Sequence, residues 1–210
     1  MDWQEWIKII EKSRSHPLPG ASAQFQMAPV SRRREGAPDS TYRNSAVMIA
    51  LCQDHSDNPF IPLIVRNEYK GAHSGQVSFP GGKVEEVDEN FEATAKRECM
   101  EEIGLSELET IRALTPLYIP VSNFLVHPFI SLSTTPNPTF SINEREVNKV
   151  IRCYLNELLM APLHENTAIK VGEITLLAPA FKIDNQVIWG ATAMMLNEVR
   201  LLFNGAYETL

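Results

Sequence analysis

The spacing of apolar residues at the start of the chain predicts a helix. From Trp3 to Ile10, apolar side chains recur at i, i+3, i+4 and i+7, which places them on one face of an α-helix. Asp2 stands at the N-cap position and Glu5 follows three residues later, as in a capping box. We interpret this segment as an accessory helix that packs on the domain, in preference to a helix that binds a partner.

Residues 14–43 lack such a period and are rich in proline and glycine. We expect a long loop there, so that residues 1–43 form an N-terminal helix and loop within the same domain as the rest of the chain. The loop contains the basic run Arg32, Arg33 and Arg34. This run is a solvated surface, a phosphate contact or a contact in a homodimer, and the solvated surface is favoured because three charges fall short of a basic tail.

From residue 44 to residue 210 the chain alternates between β-branched apolar runs and helical patterns. The predicted strands are residues 45–52, 61–66, 76–79, 114–121, 126–133, the start of 147–159, 174–183 and 186–189. The predicted helices are residues 91–103, the end of 147–159, and 190–203. A hairpin turn at Asp184 and Asn185 joins the last two strands. This alternation predicts an α/β fold in a single domain.

Length and composition are those of an ordinary globular domain. The chain has 210 residues, 44% of them hydrophobic and 21% charged. A domain of this size buries enough apolar surface to be stable without disulfides or structural metals. No apolar run approaches the ~20 residues of a membrane span, and residues 1–12 lack the basic start of a signal peptide. The 3 widely spaced cysteines form no disulfide framework or zinc pattern. We therefore expect a reducing, cytoplasmic setting without membrane association.

The net charge of the chain indicates which classes of binding partner are expected. A net charge of −7 argues against a general nucleic-acid binder, because such a protein needs a basic face. An acidic protein that handles an anionic substrate needs metal ions or local basic residues to do so.

Three carboxylates mark the candidate site for chemistry. Glu98, Glu101 and Glu102 lie at i, i+3 and i+4, so a helix places them on one face. This set of oxygen ligands suits hard cations such as Mg²⁺ or Mn²⁺. Because the three carboxylates repel one another, we expect a positively charged group among them. The alternative is a solvated acidic face. A metal site is favoured by three features together: a strand that ends in a glycine pair at Gly82, the paired charges of the helix, and a C-cap at Gly104.

The same stretch resembles the box of the Nudix hydrolases, G-x5-E-x7-R-E-U-x-E-E-x-G-U, where U is a bulky apolar residue. The residues that match its second half are Arg97, Glu98, Glu101, Glu102, Gly104 and Leu105. Cys99 stands where a larger aliphatic residue is usual. The first half is longer by one residue, so either Asp88 or Glu89 fills the early acidic position, whose role in the family is to hold the arginine.

The extra residue and the segment before the box resemble the coenzyme A diphosphatase branch of this family. That branch carries an L-L-T-x-R-S-like strand followed by H-x-G-x-x-x-F-P-G-G. The residues that fit are Arg66, His73, Gly75 and the Phe-Pro-Gly-Gly tetrad at 79–82. The branch has an arginine where this chain has Gly71, with Lys70 adjacent. The resemblance covers roughly residues 45–203.

The resemblance implies the Nudix fold, an α/β/α sandwich with a mixed β-sheet between helices. It also implies metal-dependent hydrolysis of the diphosphate bond of a nucleoside diphosphate derivative, with Mg²⁺ or Mn²⁺ as cofactor. The expected substrate is coenzyme A or acyl-CoA, and the products are 3′,5′-ADP and (acyl-)4′-phosphopantetheine. The alternatives are hydrolysis of ADP-ribose, dinucleotides or nucleoside triphosphates. A non-catalytic nucleotide-sensing domain is less favoured, because such domains typically lose box carboxylates that this chain retains.

The resemblance assigns the metal ligands to the box. Glu98, Glu101 and Glu102 are the expected ligands, with the carbonyl of Gly82 as a fourth. Arg97 is expected to orient a glutamate rather than to touch substrate.

The general base has several candidates. In the family it is a box glutamate or a carboxylate from a later loop, which here contains Glu144 and Glu146. Glu146 is the better match because a valine follows it, and its alternative role is a surface charge at the start of a strand.

Five residues before and within the box are candidates for substrate binding: Arg66, Lys70, His73, Gln76 and Gly81. His73 either contacts phosphate or is a satisfied structural histidine, and the structural role is slightly favoured. Outside this group, we interpret His127 as structural and Trp189 as a core residue, with base stacking by Trp189 as the minority interpretation.

Overall fold

The structure is a computed structural model that describes residues 1, 3–29, 41–67, 75–162, 164–171 and 174–210. Asp2, predicted as an N-cap, lies outside this part of the chain. The basic run at residues 32–34 lies outside it as well.

The described residues form five helices and eleven strands. The helices are α1 (Trp3–Ser13), α2 (Gly20–Phe25), α3 (Phe91–Ile103), α4 (Leu155–Met160) and α5 (Gly190–Glu208). The strands are β1 (Arg43–Gln53), β2 (Pro59–Arg66), β3 (Val77–Ser78), β4 (Gly81–Lys83), β5 (Leu108–Ala113), β6 (Leu117–Ile119), β7 (Phe124–Ser133), β8 (Val147–Tyr154), β9 (His164–Val171), β10 (Ile174–Ile183) and β11 (Gln186–Trp189). Within the described ranges, no helix combines the length and apolar character needed to cross a bilayer.

The strands form a mixed eight-stranded sheet and a separate three-stranded sheet. In the larger sheet, β1 runs parallel to β7 and antiparallel to β2 and β4. The start of β1 pairs with β4 and its last residues pair with β2, so β1 joins the two parts of this sheet. The strands β5 and β6 pair with β7, while β3 and β8 pair with β2. The smaller sheet has the order β11-β10-β9.

Helices cover both faces of β1, which explains why this strand is apolar along most of its length. Ala46, Met48 and Ala50 belong to a buried cluster that includes residues of α3. Ile49 and Leu51 belong to a second cluster, built with residues of α1 and α5. The predicted α/β fold, with a mixed sheet between helices, is therefore confirmed.

Several predicted elements are confirmed together with the residues that end them. Helix α3 follows Asn90, whose side chain accepts a hydrogen bond of 2.9 Å from the amide of Ala93. Gly104 ends this helix with a φ of 73°. The turn between β10 and β11 has φ of 49° at Asp184 and 57° at Asn185, as a two-residue hairpin turn requires. The C-terminal helix runs on to Glu208, beyond the predicted end at residue 203.

The sequence pattern predicted no element at α2, β4, β5 or β9. Helix α2 lies inside the predicted long loop, where Gln24 Nε2 donates to Thr115 O and to Glu198 Oε2, both at 2.8 Å. Such tertiary hydrogen bonds stabilise a short helix whose local sequence alone would not be enough to stabilise it. β5 is an edge strand in which the polar residues Glu109, Thr110 and Arg112 interrupt the apolar pattern. The strand predicted over residues 114–121 shortens to β6 between two prolines.

The N-terminal helix is attached through a tryptophan. Trp6 is 0% exposed, and its ring meets that of Phe203 edge-on at 5.8 Å between centroids. Its Nε1 donates to Asn156 Oδ1 at 3.1 Å. The apolar face predicted from the sequence thus packs against α5, and Asn156 of α4 receives the indole N–H.

Replacing Trp6 with alanine tests whether residues 1–43 and 44–210 form one domain, as the sequence predicts. The substitution should lower the free energy of unfolding by about 3–5 kcal/mol, because it empties a buried site of this size. Urea unfolding followed by circular dichroism should retain a single transition at lower midpoint. Lys8→Ala on the exposed face of α1 is the matched control and should unfold like the wild type. A Trp6→Ala protein of wild-type stability would contradict this prediction.

Candidate active site

The two glycines of β4 let its backbone lie close to α3 at Gly82 and close to β1 at Gly81. A Cβ at Gly82 would overlap the carboxylate of Glu98, and a Cβ at Gly81 would overlap the carbonyl of Ala46. Gly81 also has a φ of 157°, which residues with side chains rarely adopt. The glycine pair therefore allows a helix carboxylate to lie directly against the strand.

Glu102 is the most buried carboxylate of the site, with 2% of its side chain exposed. Its Oε2 accepts a hydrogen bond of 2.9 Å from the amide of Gly81. Burial raises the pKa of Glu102 to about 7, although the positive charge of Arg66 and the Gly81 amide oppose that rise. Arg66 Nη2 lies 3.3 Å from Oε1 as an ion pair, yet Oε1 has no hydrogen-bond partner among the described residues.

Arg97 supplies the positive charge that the clustered glutamates require. Its Nη1 donates to Glu98 Oε1 at 2.9 Å and to Glu101 Oε2 at 3.4 Å. Its Nε and Nη2 donate to the two oxygens of Asp88 at 2.8 and 2.9 Å. These hydrogen bonds hold the pKa of Asp88 well below its usual range. Of the two candidates for the early acidic position, Asp88 contacts the arginine, and Glu89 is exposed.

The remaining carboxylates differ in exposure. Glu98 is largely buried, and this burial raises its pKa, against the effect of Arg97. The side chain of Glu101 is 57% exposed. Glu146 is exposed as well, and its negative charge contributes to the raised pKa of both Glu98 and Glu102. The structure brings the loop of Glu146 to the end of α3, where the amide of Asn143 donates to the carbonyl of Glu102.

The donor set fits a hard cation in its chemistry, since it consists of carboxylate and carbonyl oxygens. The buried Oε1 of Glu102, which makes no hydrogen bond within the described ranges, is a suitable ligand atom. In the conformation present, however, no three carboxylate, imidazole or thiol groups of the described residues converge on one point. The reason is that Arg97 binds Glu98 and Glu101, while Glu102 turns toward Gly81.

Arg66, a predicted substrate contact, faces the box. Its Nη2 donates to the carbonyl of Gly81 and its Nε donates to Ser78 Oγ, both at 3.2 Å. The backbone amide of Arg66 donates to the carbonyl of Gln76 at 3.0 Å. Arg66 and Gly81 thus lie together beside Glu102, and Gln76 is joined to Arg66 through the backbone.

Two other predicted substrate contacts, Lys70 and His73, lie outside the described residues, as does Gly71. The loop that carries Glu144 and Glu146 is described, and two of its amides reach the carbonyls at the end of α3. Ser141 and Asn143 make these contacts, and the sequence did not predict them because neither residue belongs to a periodic pattern or to the box.

His127 and Trp189 were predicted to have structural roles. The ring of His127 stacks on Phe91 at 3.7 Å between centroids, and its Nε2 lies 3.0 Å from Asn44 Oδ1. Burial lowers the pKa of His127, which fits a neutral structural histidine. Trp189 was predicted as a core residue but is only partly buried, because it lies where β11 ends and α5 begins.

The pair of Asp88 and Arg97 makes a prediction about stability. Asp88→Asn should lower the free energy of unfolding at pH 7 by about 1.5–3 kcal/mol, the usual contribution of a hydrogen bond to a charged group. The folded pKa of Asp88 lies below the unfolded value of about 4. Its contribution is therefore complete above that unfolded value and is lost as the pH falls through the folded pKa.

Urea unfolding of the wild type and of Asp88→Asn between pH 7 and pH 3 measures this effect. The difference between the two proteins should be constant down to about pH 4 and shrink below it. Glu89→Gln, an exposed neighbour, should match the wild type at every pH. Equal stability of Asp88→Asn and the wild type at pH 7 would contradict the structural assignment.

The family model of the NUDIX domain matches residues 41–172 of this chain. The mitochondrial coenzyme A diphosphatase NUDT8 of Homo sapiens is 28% identical over 195 residues, which cover 91% of this chain and 77% of that protein. The peroxisomal coenzyme A diphosphatase ndx-8 of Caenorhabditis elegans is 30% identical over 157 residues, which cover 73% of this chain and 65% of that protein. The uncharacterized Nudix hydrolase NudL of Yersinia enterocolitica is 30% identical over 167 residues, which cover 78% of this chain and 83% of that protein.

Among solved structures, a MutT/nudix family protein from Enterococcus faecalis aligns with a TM-score of 0.50. The two chains are 14% identical, and the alignment covers 78% of this chain and 62% of the other, so this likeness concerns the fold. The match to the family model extends over more than half of the chain and includes the whole box. The chain belongs to the Nudix hydrolases and is a pyrophosphohydrolase of that family.

Proposed function

We propose that this Nudix hydrolase cleaves the diphosphate bond of coenzyme A or acyl-CoA, giving 3′,5′-ADP and (acyl-)4′-phosphopantetheine. The observation that carries the proposal is the cluster of box carboxylates on α3 against β4, with Arg66 beside it. Two of the relatives described above are named coenzyme A diphosphatases. The matching residues that precede the box support the same substrate class.

In this proposal Mg²⁺ or Mn²⁺ would be held by the carboxylates of Glu98, Glu101 and Glu102 and by the carbonyl of Gly82. When bound, such ions neutralise the diphosphate and lower the pKa of the attacking water. Arg97 orients Glu98 and Glu101 through hydrogen bonds and is itself fixed by Asp88.

Glu146 is the proposed general base, and one of its carboxylate oxygens takes the proton from the attacking water. Its negative charge contributes to the raised pKa of Glu98 and Glu102, which supports this role over that of Glu144. A general base typically contributes about 10²- to 10⁴-fold to the rate.

The substrate contacts proposed here are Arg66, Lys70, His73, Gln76 and Gly81. Since the chain has a net charge of −7, a polyanionic substrate needs such local basic groups. Arg66 also pairs with Glu102, so its removal would disturb the box as well as any phosphate contact. Lys70 is therefore the better residue for testing recognition of the substrate.

A second candidate is hydrolysis of ADP-ribose, dinucleotides or nucleoside triphosphates. It is kept because Gly71 stands where the coenzyme A branch has an arginine, and the adjacent lysine does not present a guanidinium fork. The cytoplasm remains the proposed location, which the three buried free thiols suit, although the two diphosphatase relatives are named for mitochondria and peroxisomes.

The metal ligands are tested by replacing box glutamates with glutamine. Glu98→Gln and Glu101→Gln each remove one ligand charge with little change of shape, so kcat should fall by about 10²-fold or more while the fold persists. Steady-state kinetics with Mg²⁺ and Mn²⁺, together with circular dichroism, measure both effects. Glu86→Gln, exposed in the same box, is the control and should retain wild-type kinetics. Near-wild-type turnover by either ligand variant would refute the assignment.

The substrate is tested with a panel of diphosphates and analysis of the products. Coenzyme A should be preferred over dephospho-coenzyme A by roughly 10- to 100-fold in kcat/KM, since a charge-assisted contact to the 3′-phosphate contributes about 1.5–3 kcal/mol. Lys70→Gln should remove this preference, whereas the control Lys83→Gln should keep it. A wild type that prefers ADP-ribose, a dinucleotide or a nucleoside triphosphate would favour the second candidate instead.

A further inference from the structure

The loop of residues 141–147 is docked on the C-terminal end of α3. Ser141 N donates to the carbonyl of Ile103, and Asn143 N donates to the carbonyl of Glu102, each at 3.0 Å. These amides satisfy carbonyls that the end of a helix leaves unpaired. Gly104 permits the approach, because a Cβ there would lie 2.9 Å from Ser141 Cβ.

Asn143 links this docking contact to Glu146 in several ways. Its carbonyl accepts hydrogen bonds from the amides of Glu146 and Val147, at 3.0 and 2.9 Å. Its Oδ1 accepts from the amide of Arg145 at 3.2 Å, and its Nδ2 donates to Glu146 Oε1 at 3.3 Å. One residue therefore connects the backbone of Glu102 with both the backbone and the carboxylate of Glu146.

The other side of the loop is held by the residue that follows β2. Asn67, which directly follows Arg66, donates from its amide to the carbonyl of Glu146 at 3.1 Å. Its Nδ2 donates to the carbonyl of Glu144 at 2.8 Å. The backbone of Glu146 is thus fixed from two directions, while its exposed side chain has rotamer freedom that only a side-chain contact can limit.

We propose that Asn143 is a positioning residue that holds the Glu146 carboxylate beside the box glutamates. The inference rests on the proposed function, in which Glu146 accepts a proton from the attacking water. A carboxylate that rotates away from the reacting atoms loses catalytic efficiency steeply, because proton transfer requires hydrogen-bond distance. Asn143 prevents this through its Nδ2 donor, and its Oδ1 keeps the loop in the conformation that makes the donor effective.

Two substitutions separate these contributions. Asn143→Asp keeps the acceptor for the Arg145 amide but replaces the donor with a negative charge that repels Glu146. Asn143→Ala removes both side-chain contacts. Each should lower kcat for coenzyme A by about 10- to 100-fold and leave KM within about 3-fold of the wild type, since the contact matters in the transition state. Asn148→Ala, an exposed asparagine at the start of β8, is the matched control and should keep both constants.

A double-mutant cycle shows whether Asn143 acts through Glu146. Glu146→Gln alone should lower kcat by about 10²- to 10⁴-fold. Adding Asn143→Ala to Glu146→Gln should lower kcat by less than about 2-fold further, because the group it positions is already gone. Thermal unfolding of every variant shows that the losses do not come from unfolding.

The outcomes distinguish this inference from the proposed function. Wild-type kcat in Asn143→Asp and Asn143→Ala overturns the inference, as does an Asn143→Ala effect of the same size in both backgrounds. If Glu146→Gln is fully active while the wild type hydrolyses coenzyme A, the positioning role fails together with the assignment of Glu146 as general base, and the proposed substrate and reaction stand. If the wild type hydrolyses no diphosphate of the panel, the proposed function fails, and the role of Asn143 fails with it.

Discussion

The neutralisation of carboxylates gathered between α3 and β4 is the interaction on which the rest of the structure depends. Two unit charges 4 Å apart interact by about 4 kcal/mol at an effective dielectric constant of ~20, so an uncompensated cluster would destabilise the face of α3 that is buried against β4. Arg97 approaches the cluster from the helix and Arg66 approaches it from β2. Because Arg97 is also bound to Asp88, these ion pairs fix the box loop, the helix and the sheet relative to one another.

Close packing below the cluster places its most buried member. The face of β1 that lies under α3 carries Ala46 and Ala50 on either side of Met48, and the helix contributes Ala95 to the same contact. The alanines on both surfaces let the helix axis approach the sheet, so Glu102 reaches the amide of Gly81. The same proximity removes Glu102 from water and raises its pKa to about 7. Packing between apolar residues thus determines the electrostatic state of the site.

Local signals in the sequence predicted α3 to the residue, because its N-cap, its glutamate spacing and the glycine after it are all read within one helix. The choice between Asp88 and Glu89 needed three dimensions, since both lie in a short loop and only one of them points to Arg97. Asn143 escaped prediction for a related reason. It acts through contacts with Glu102 and Glu146 that depend on the docking of a distant loop, which no period or composition reveals.

One face of the sheet carries the candidate site, and the other face is covered by helices that contribute no residue to it. The carboxylates, the glycine pair and the loop of Glu146 lie within residues 41–172, the range that the family model matches, whereas α1, α2 and α5 lie outside it. Yet Ile49 and Leu51 of β1 are 0% exposed because residues from α1 and α5 belong to their cluster. Without those helices the central strand would expose one apolar face, and β4 and α3 would lose the strand against which they are aligned. The geometry of the box therefore depends on helices that contribute none of its residues.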